Sequence, residues 1–128
     1  MYFKLAAGTD DKKNFTDSHF GESQVFLIYE VKDDKLRLIE ERENQKFDEE
    51  KHGDEKKASH ISAQLKDVNV LVGRVFGPNI VRIRKKFVPV LSKEKNIEKS
   101  LNELILKYRD KLVAEITSDK EEKDIIRI

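Results

Sequence analysis

The chain carries three histidines and no cysteine, so any metal chemistry must run through imidazole, carboxylate or carbonyl donors. His19 lies in the stretch T-D-S-H-F-G-E-S, residues 16 to 23, between Ser18 and the pair Phe20-Gly21. His52 lies in K-H-G-D-E, with Gly53 after it. A neutral imidazole can ligate a metal or accept a hydrogen bond. The competing reading for both is a solvated loop histidine. His60 falls about 200° round a helix from Ala58, which points it to solvent. Asp10, Asp11, Asp17 and Glu22 stand near His19, so carboxylate-assisted hydrolysis is one chemistry to weigh. A second cluster is R-V-F-G-P-N, residues 74 to 79. Arg74 and the amides at Gly77 and Asn79 would attract an anion if a helix begins there. The same residues also suit a plain turn and helix start. The run R-I-R-K-K, residues 82 to 86, reads as a solvated helix face, because no aromatic ladder accompanies it as nucleic-acid stacking would require.

Composition narrows the classes. At 128 residues the chain fits one domain. Lys+Arg number 26 against 25 Asp+Glu, a net charge of +1, so there is no general pull toward nucleic acid or an anionic membrane. The absence of cysteine excludes a disulfide framework, a thiolate zinc site and a cysteine nucleophile. No apolar run approaches the roughly 20 residues of a membrane span. The start, M-Y-F-K-L-A-A-G, reads as a strand rather than a signal segment. A cytoplasmic protein is expected, and its Lys/Glu-rich composition is thermophile-like. No P-loop, nucleophile elbow or dinucleotide-binding glycine fingerprint is present.

The elements that must position these residues follow from periodicity. Strands are expected at 2–7, at 25–31 (V-F-L-I-Y-E-V) and at 35–43, the last two joined by an Asp33-Asp34 turn. Ala58, Ile61 and Leu65 mark a short amphipathic helix over 57–66. A buried strand is expected at 68–73. Pro78 then opens a helix to about Lys86. Residues 87–91 contain Pro89, which predicts an edge strand. Ile97, Leu101, Leu104, Ile105, Tyr108, Leu112 and Ile116 keep helical spacing, with Asn96 or Ser92 as the cap. The end, S-D-K-E-E-K-D-I-I-R-I, shows no clear period. It would extend the helix, add a short strand or stay disordered. We therefore expect one domain over 1–112 and an extension over 113–128.

Strands alternating with helices predict a three-layer α/β fold with parallel pairs. Five strands in the order 3-2-1-4-5, with strand two reversed, satisfy the hairpin and right-handed crossovers. Strands one, three and four then end at one edge of the sheet. The His19 loop, the His52 loop and the Arg74–Asn79 loop would converge at the switch point, where open α/β sheets bind ligands. The topology is that of ribonuclease H, but strand one carries Lys4 as its only charge and strand four none, so the carboxylates of such metal nucleases are missing.

The His19 loop followed by V-F-L-I-Y-E-V, the later H-G loop, and L-K-D-V-N-V-L-V-G-R-V-F-G-P-N-I followed by F-V-P-V carry a family resemblance. Over about residues 1 to 112 the chain resembles the dinitrogenase iron–molybdenum cofactor biosynthesis family, the NifX/NifB-type domain. The resemblance implies a ribonuclease H-like motif and a non-catalytic carrier or chaperone for an iron–sulfur or molybdenum-containing cluster. It maps the family's candidate ligand onto His19, with Ser18, Phe20 and Gly21 completing the motif and His52 as a second metal ligand. Arg74, Gly77 and Asn79 would face an anionic cargo. Arg74 and Phe76 stand where many relatives carry glycine, so they narrow the cleft or contact the ligand. A cofactor-assembly or recipient protein is the implied partner, with no nucleic acid or membrane, and the chain is expected as a monomer or weak homodimer. The alternative is a metal-free module that binds a small anion or a partner.

Overall fold

The computed structural model describes residues 1–45 and 60–128. Strands β1 (Tyr2–Thr9), β2 (Val25–Lys32), β3 (Lys35–Glu43), β4 (Val70–Gly73), β5 (Val88–Leu91) and β6 (Ile126–Arg127) form one mixed sheet in the order β3-β2-β1-β4-β5-β6. The β3-β2-β1 half is antiparallel, and the pairs from β1 to β6 are parallel. The first five strands take the order that the hairpin and the crossovers predict. The sixth corrects the five-strand expectation.

That sixth strand also corrects the reading of Pro89, because β5 is covered on both sides. Val88 and Ser92 donate toward β4, to the carbonyls of Asn69 and Gly73. Pro89, one residue out of phase, turns its missing N–H toward β6. The β6 ladder begins one step later, at Val90–Ile126, so no bond is forfeited.

Side-chain alternation sorts the sheet into two faces. Leu5, Ala7, Val70, Val72, Val88 and Val90 pack against helix α3 (Ile97–Thr117) through Ile97, Leu101, Leu104 and Leu112. Ala6, Ile28 and Leu71 face the other way. They meet Ile61 and Leu65 around the short helix α1 (residues 60–64), and Ile83 from α2 (Ile80–Ile83). Asn96 caps α3 by accepting from the Lys99 amide at 3.0 Å, a bond worth about 1 kcal/mol to a helix. Helix α2 is shorter than its sequence suggests. The chain tightens into turns after Ile83, where the Lys85 and Lys86 amides bond three residues back, and the sheet resumes at Val88. The β2–β3 turn has positive φ at both Asp33 (51°) and Asp34 (64°), the conformation that matches strand twist in a two-residue hairpin. No helix among the described residues is long and apolar enough to cross a membrane.

Candidate functional site

The register fixes which loops meet. Thr9 pairs with Val25 and Val25 with Glu43, while Ala7 pairs with Val72 and Gly73 with Leu91. The carboxyl ends of β1, β3, β4 and β5 are therefore level along one edge. The loop after β1 is folded by its own polar residues. Thr9 Oγ1 donates to the Asn14 carbonyl at 2.5 Å. Asp11 accepts the Asn14 and Lys13 amides at 2.7 and 2.8 Å, and these bonds, Asn14's foremost, hold its carboxyl far below the usual range. Asp10 accepts the Thr16 hydroxyl on one oxygen and the Gln24 amide on the other. Both carboxylates thus staple the loop, which leaves little for the hydrolytic role they suggest in the sequence.

Phe20 anchors the centre. It is 1% exposed and opens a 3₁₀ turn over Phe20–Glu22. Its ring stacks on Phe26 and on Phe76, with centroids 5.1 Å away in each case. Two strand-end glycines make the seat. A Cβ on Gly8 would lie 3.1 Å from the Phe20 ring and 2.3 Å from Ser23 Oγ, and one on Gly73 would lie 3.4 Å from the ring. The Phe20 amide donates to the Val75 carbonyl at 2.7 Å. Phe76, 4% exposed, is thus a packing residue under the loop.

His19 is lifted out of this core. Its side chain is 44% exposed, and its Nδ1 lies 3.3 Å from a Glu22 carboxylate oxygen. The ring rests on Gly77, whose φ of +71° favours glycine and where a Cβ would come within 2.6 Å of Nδ1. Arg74 is exposed and pairs with Asp17 at 3.3 Å, while Lys95, from the loop after β5, lies 3.9 Å from the other Asp17 oxygen. A hollow of about 410 Å³ opens beside them, lined by Asp17, Arg74, Val75, Ser92 and Lys93.

The other expected residues are distributed around this arrangement. Ser18 is exposed on the loop rim, and the Gly21 carbonyl accepts from the Asn44 side chain at 2.9 Å. Asn79 is half-buried, and its Oδ1 is buried with no hydrogen-bond partner among the described residues. Four-residue α2 offers little dipole, so positive charge here comes from Arg74, Lys93 and Lys95. His52 lies outside the described residues. His60 does not stand free in solvent: it is half-buried, with Nε2 2.9 Å from the Gln45 carbonyl. Gln64 likewise bonds the Gln45 amide and the Asn44 side chain, which ties α1 to the end of β3. Among the described residues no three His, Asp or Glu side chains gather as a metal site.

Sequence reasoning missed Lys95 and Asn44. The signal for Lys95 was available, since β5 runs parallel to β4 and its exit loop must reach the same edge. A larger hollow of about 910 Å³ lies between the β2–β3 turn and α3, lined by Asp34, Leu36, Leu106 and Arg109 among others. It lies at the opposite edge from His19 and holds no histidine.

A family model described as "Dinitrogenase iron-molybdenum cofactor" matches residues 1–107. Among solved structures, the crystal structure of a dinitrogenase candidate from Methanocaldococcus jannaschii is 18% identical, with a TM-score of 0.62 over 83% of this chain and 90% of that one. An NMR structure of a dinitrogenase candidate from Methanococcus jannaschii is 17% identical, also at 0.62, over 84% of this chain and 91% of that one. At such identity these two speak for the fold. No curated protein matches the chain in sequence.

Proposed function

The chain belongs to the dinitrogenase iron–molybdenum cofactor family, and from that premise we propose that it is a non-catalytic carrier of a metal–sulfur cluster or cluster precursor. The observation behind this reading is the half-exposed His19 imidazole, held above Gly77 two residues from Asp17, which lines a hollow with Arg74 and Lys93 and has Lys95 at 3.9 Å. A preformed cluster brings its own sulfide ligands and needs few bonds from its carrier. One imidazole, joined by His52 where that loop reaches the cargo, gives the labile grip suited to hand-over. Ser18 and Gly21 shape the rim, Phe20 fixes the loop from below, and Arg74, Gly77 and Asn79 border the anionic face of the cargo. The reading includes a ribonuclease H-like motif, a cytoplasmic setting and an assembly or recipient protein as partner.

The test is metal and sulfide analysis, with a visible spectrum, of protein purified without oxygen from its own cells. The expected result is bound iron or molybdenum that His19→Ala loses without unfolding. Equal metal content in the variant, or a colourless metal-free wild type, overturns the reading.

The Asp17 ion pairs favour a second reading, a metal-free anion- or partner-binding module built on Arg74 and Lys95. Phosphate binding at low salt, lost in Arg74→Ala and kept in His19→Ala, would select it.

A further inference from the structure

We infer that Glu22 is a positioning residue that decides which nitrogen of His19 meets the cargo. The inference deepens the carrier reading and rests on it for its use, yet it can be tested with no cargo present. The Glu22 carboxylate lies 3.3 Å from His19 Nδ1. This placement is built into the backbone. The Glu22 amide donates to the His19 carbonyl at 2.8 Å, closing the 3₁₀ turn for which His19 is the extended N-cap, so the two residues are held close through the backbone. The His19 backbone is held in turn, because the next residue, Phe20, is buried in the core. Gly77 supplies an independent constraint. The ring atoms nearest to a Cβ built there are Nδ1, Cε1 and Cγ, so Gly77 backs the Nδ1 side and the Nε2 edge is turned away from it.

A neutral imidazole carries one hydrogen. At 3.3 Å the Glu22 carboxylate lies within ion-pair reach of Nδ1, where it favours the tautomer that carries the hydrogen on Nδ1 and leaves the Nε2 lone pair bare. Metal-bound histidines commonly donate their other N–H to a carboxylate or carbonyl in this way. The consequence separates the two functional readings. An Nε2 lone pair suits an electron-poor metal atom with an open coordination position. It cannot donate to an oxyanion. Glu22 therefore favours a metal-containing cargo at His19 and leaves oxyanion recognition to Arg74 and the lysines.

The test is nitrogen-detected NMR of the uniformly ¹⁵N-labelled full chain, metal-free and in mildly alkaline buffer, with His19 assigned by its loss in His19→Ala. The expected wild-type signature is a protonated Nδ1 and an unprotonated Nε2. Glu22→Gln should keep it, since the amide oxygen still accepts, whereas Glu22→Ala should shift the hydrogen toward Nε2. Glu22 is half exposed, so neither variant should disturb the fold. A wild-type ring protonated at Nε2, or a tautomer unchanged in Glu22→Ala, overturns the inference. Titration with Co²⁺ alone gives a second readout. Binding through His19 should weaken roughly tenfold or more in Glu22→Ala and much less in Glu22→Gln. If the tautomer follows Glu22 but Co²⁺ ignores His19, the role of Glu22 stands and the carrier reading falls. If Co²⁺ binds His19 equally well in wild type and Glu22→Ala, with no change of tautomer, the role of Glu22 falls and the carrier reading stands.

Discussion

The Phe20 amide donates to the Val75 carbonyl at 2.7 Å, a backbone bond that joins the loop after β1 to the loop after β4. Its strength depends on where Phe20 sits. A lone hydrogen bond contributes about 1 kcal/mol, while the buried ring between Phe26 and Phe76 contributes several times that. Phe20→Ala should therefore destabilise the fold by about 3–5 kcal/mol in urea unfolding and release His19 from Gly77. Phe20→Leu should cost much less, because it fills most of the same space. A loss below about 1 kcal/mol for Phe20→Ala would show that the stack does not hold the loop.

Asp17 sets a different expectation, since it stands where a bound anion would stand. It is exposed, so its ion pairs with Arg74 and Lys95 contribute at most about 1 kcal/mol each to stability. Asp17→Asn should leave the urea midpoint nearly unchanged. It should also raise the affinity for molybdate or phosphate about two- to tenfold at low salt, because a competing carboxylate is gone. The gain should fade as added salt screens the exposed cations. Isothermal titration at two ionic strengths checks both statements. Weaker anion binding in the variant would mean that Asp17 positions Arg74 instead of competing for it.

Away from the site, Asp67 ties α1 to β1 and β3. Arg42 reaches it with two nitrogens, at 3.0 and 3.2 Å, and Lys4 approaches at 3.3 Å. The Arg42 hydrogen bonds are the main reason that its carboxyl falls from 3.8 to about 2. The folded value lies below the unfolded one, so the stabilisation is present above pH 3.8 and is lost as pH falls from there toward 2. Solvent reaches the pair, so the effect is modest. Urea midpoints through this window should fall less steeply for Asp67→Asn than for wild type. Parallel curves would remove Asp67 from the acid response.

How much of this was legible follows from the kind of signal each residue leaves. The strand at 25–31 and the helix from Ile97 carry strong periods, and both appear within a residue or so of where the periods put them. The convergence of the His19 and Arg74 loops followed from strand order alone. The seat beneath Phe20 was not readable, because Gly8 and Gly73 meet a ring only through tertiary contact. The Asp17 pairs were hidden too, since Asp17, Arg74 and Lys95 lie far apart in the chain. Pro89 misled because the rule for edge strands counts missing donors without asking which side each donor faces.

The last strand shows how a sequence without a period can still be structural. Ile126 is fully buried in the α3-side core, although its strand has two residues. The polar stretch before it is pinned from both sides. Arg84 Nε donates to the Lys123 carbonyl, and the Lys123 amide returns a bond to the Arg84 carbonyl, each at 2.7 Å. Lys120 pairs with buried Glu115 on α3. The Ile128 amide then closes on the Leu91 carbonyl at 2.9 Å. Such short-range polar links guide the chain, but one buried isoleucine is what makes docking favourable. Ile126→Ala should accordingly cost about 2–5 kcal/mol in urea unfolding. Truncation after Thr117 would bare the β5 edge, whose Leu91 carbonyl then lacks its partner, and an uncovered edge invites pairing with another chain. Light scattering should find the truncated chain self-associating under conditions where the full chain scatters at its own size. A truncated chain of unchanged size and urea midpoint would show that β5 tolerates an open edge, as its Pro89 alone would suggest.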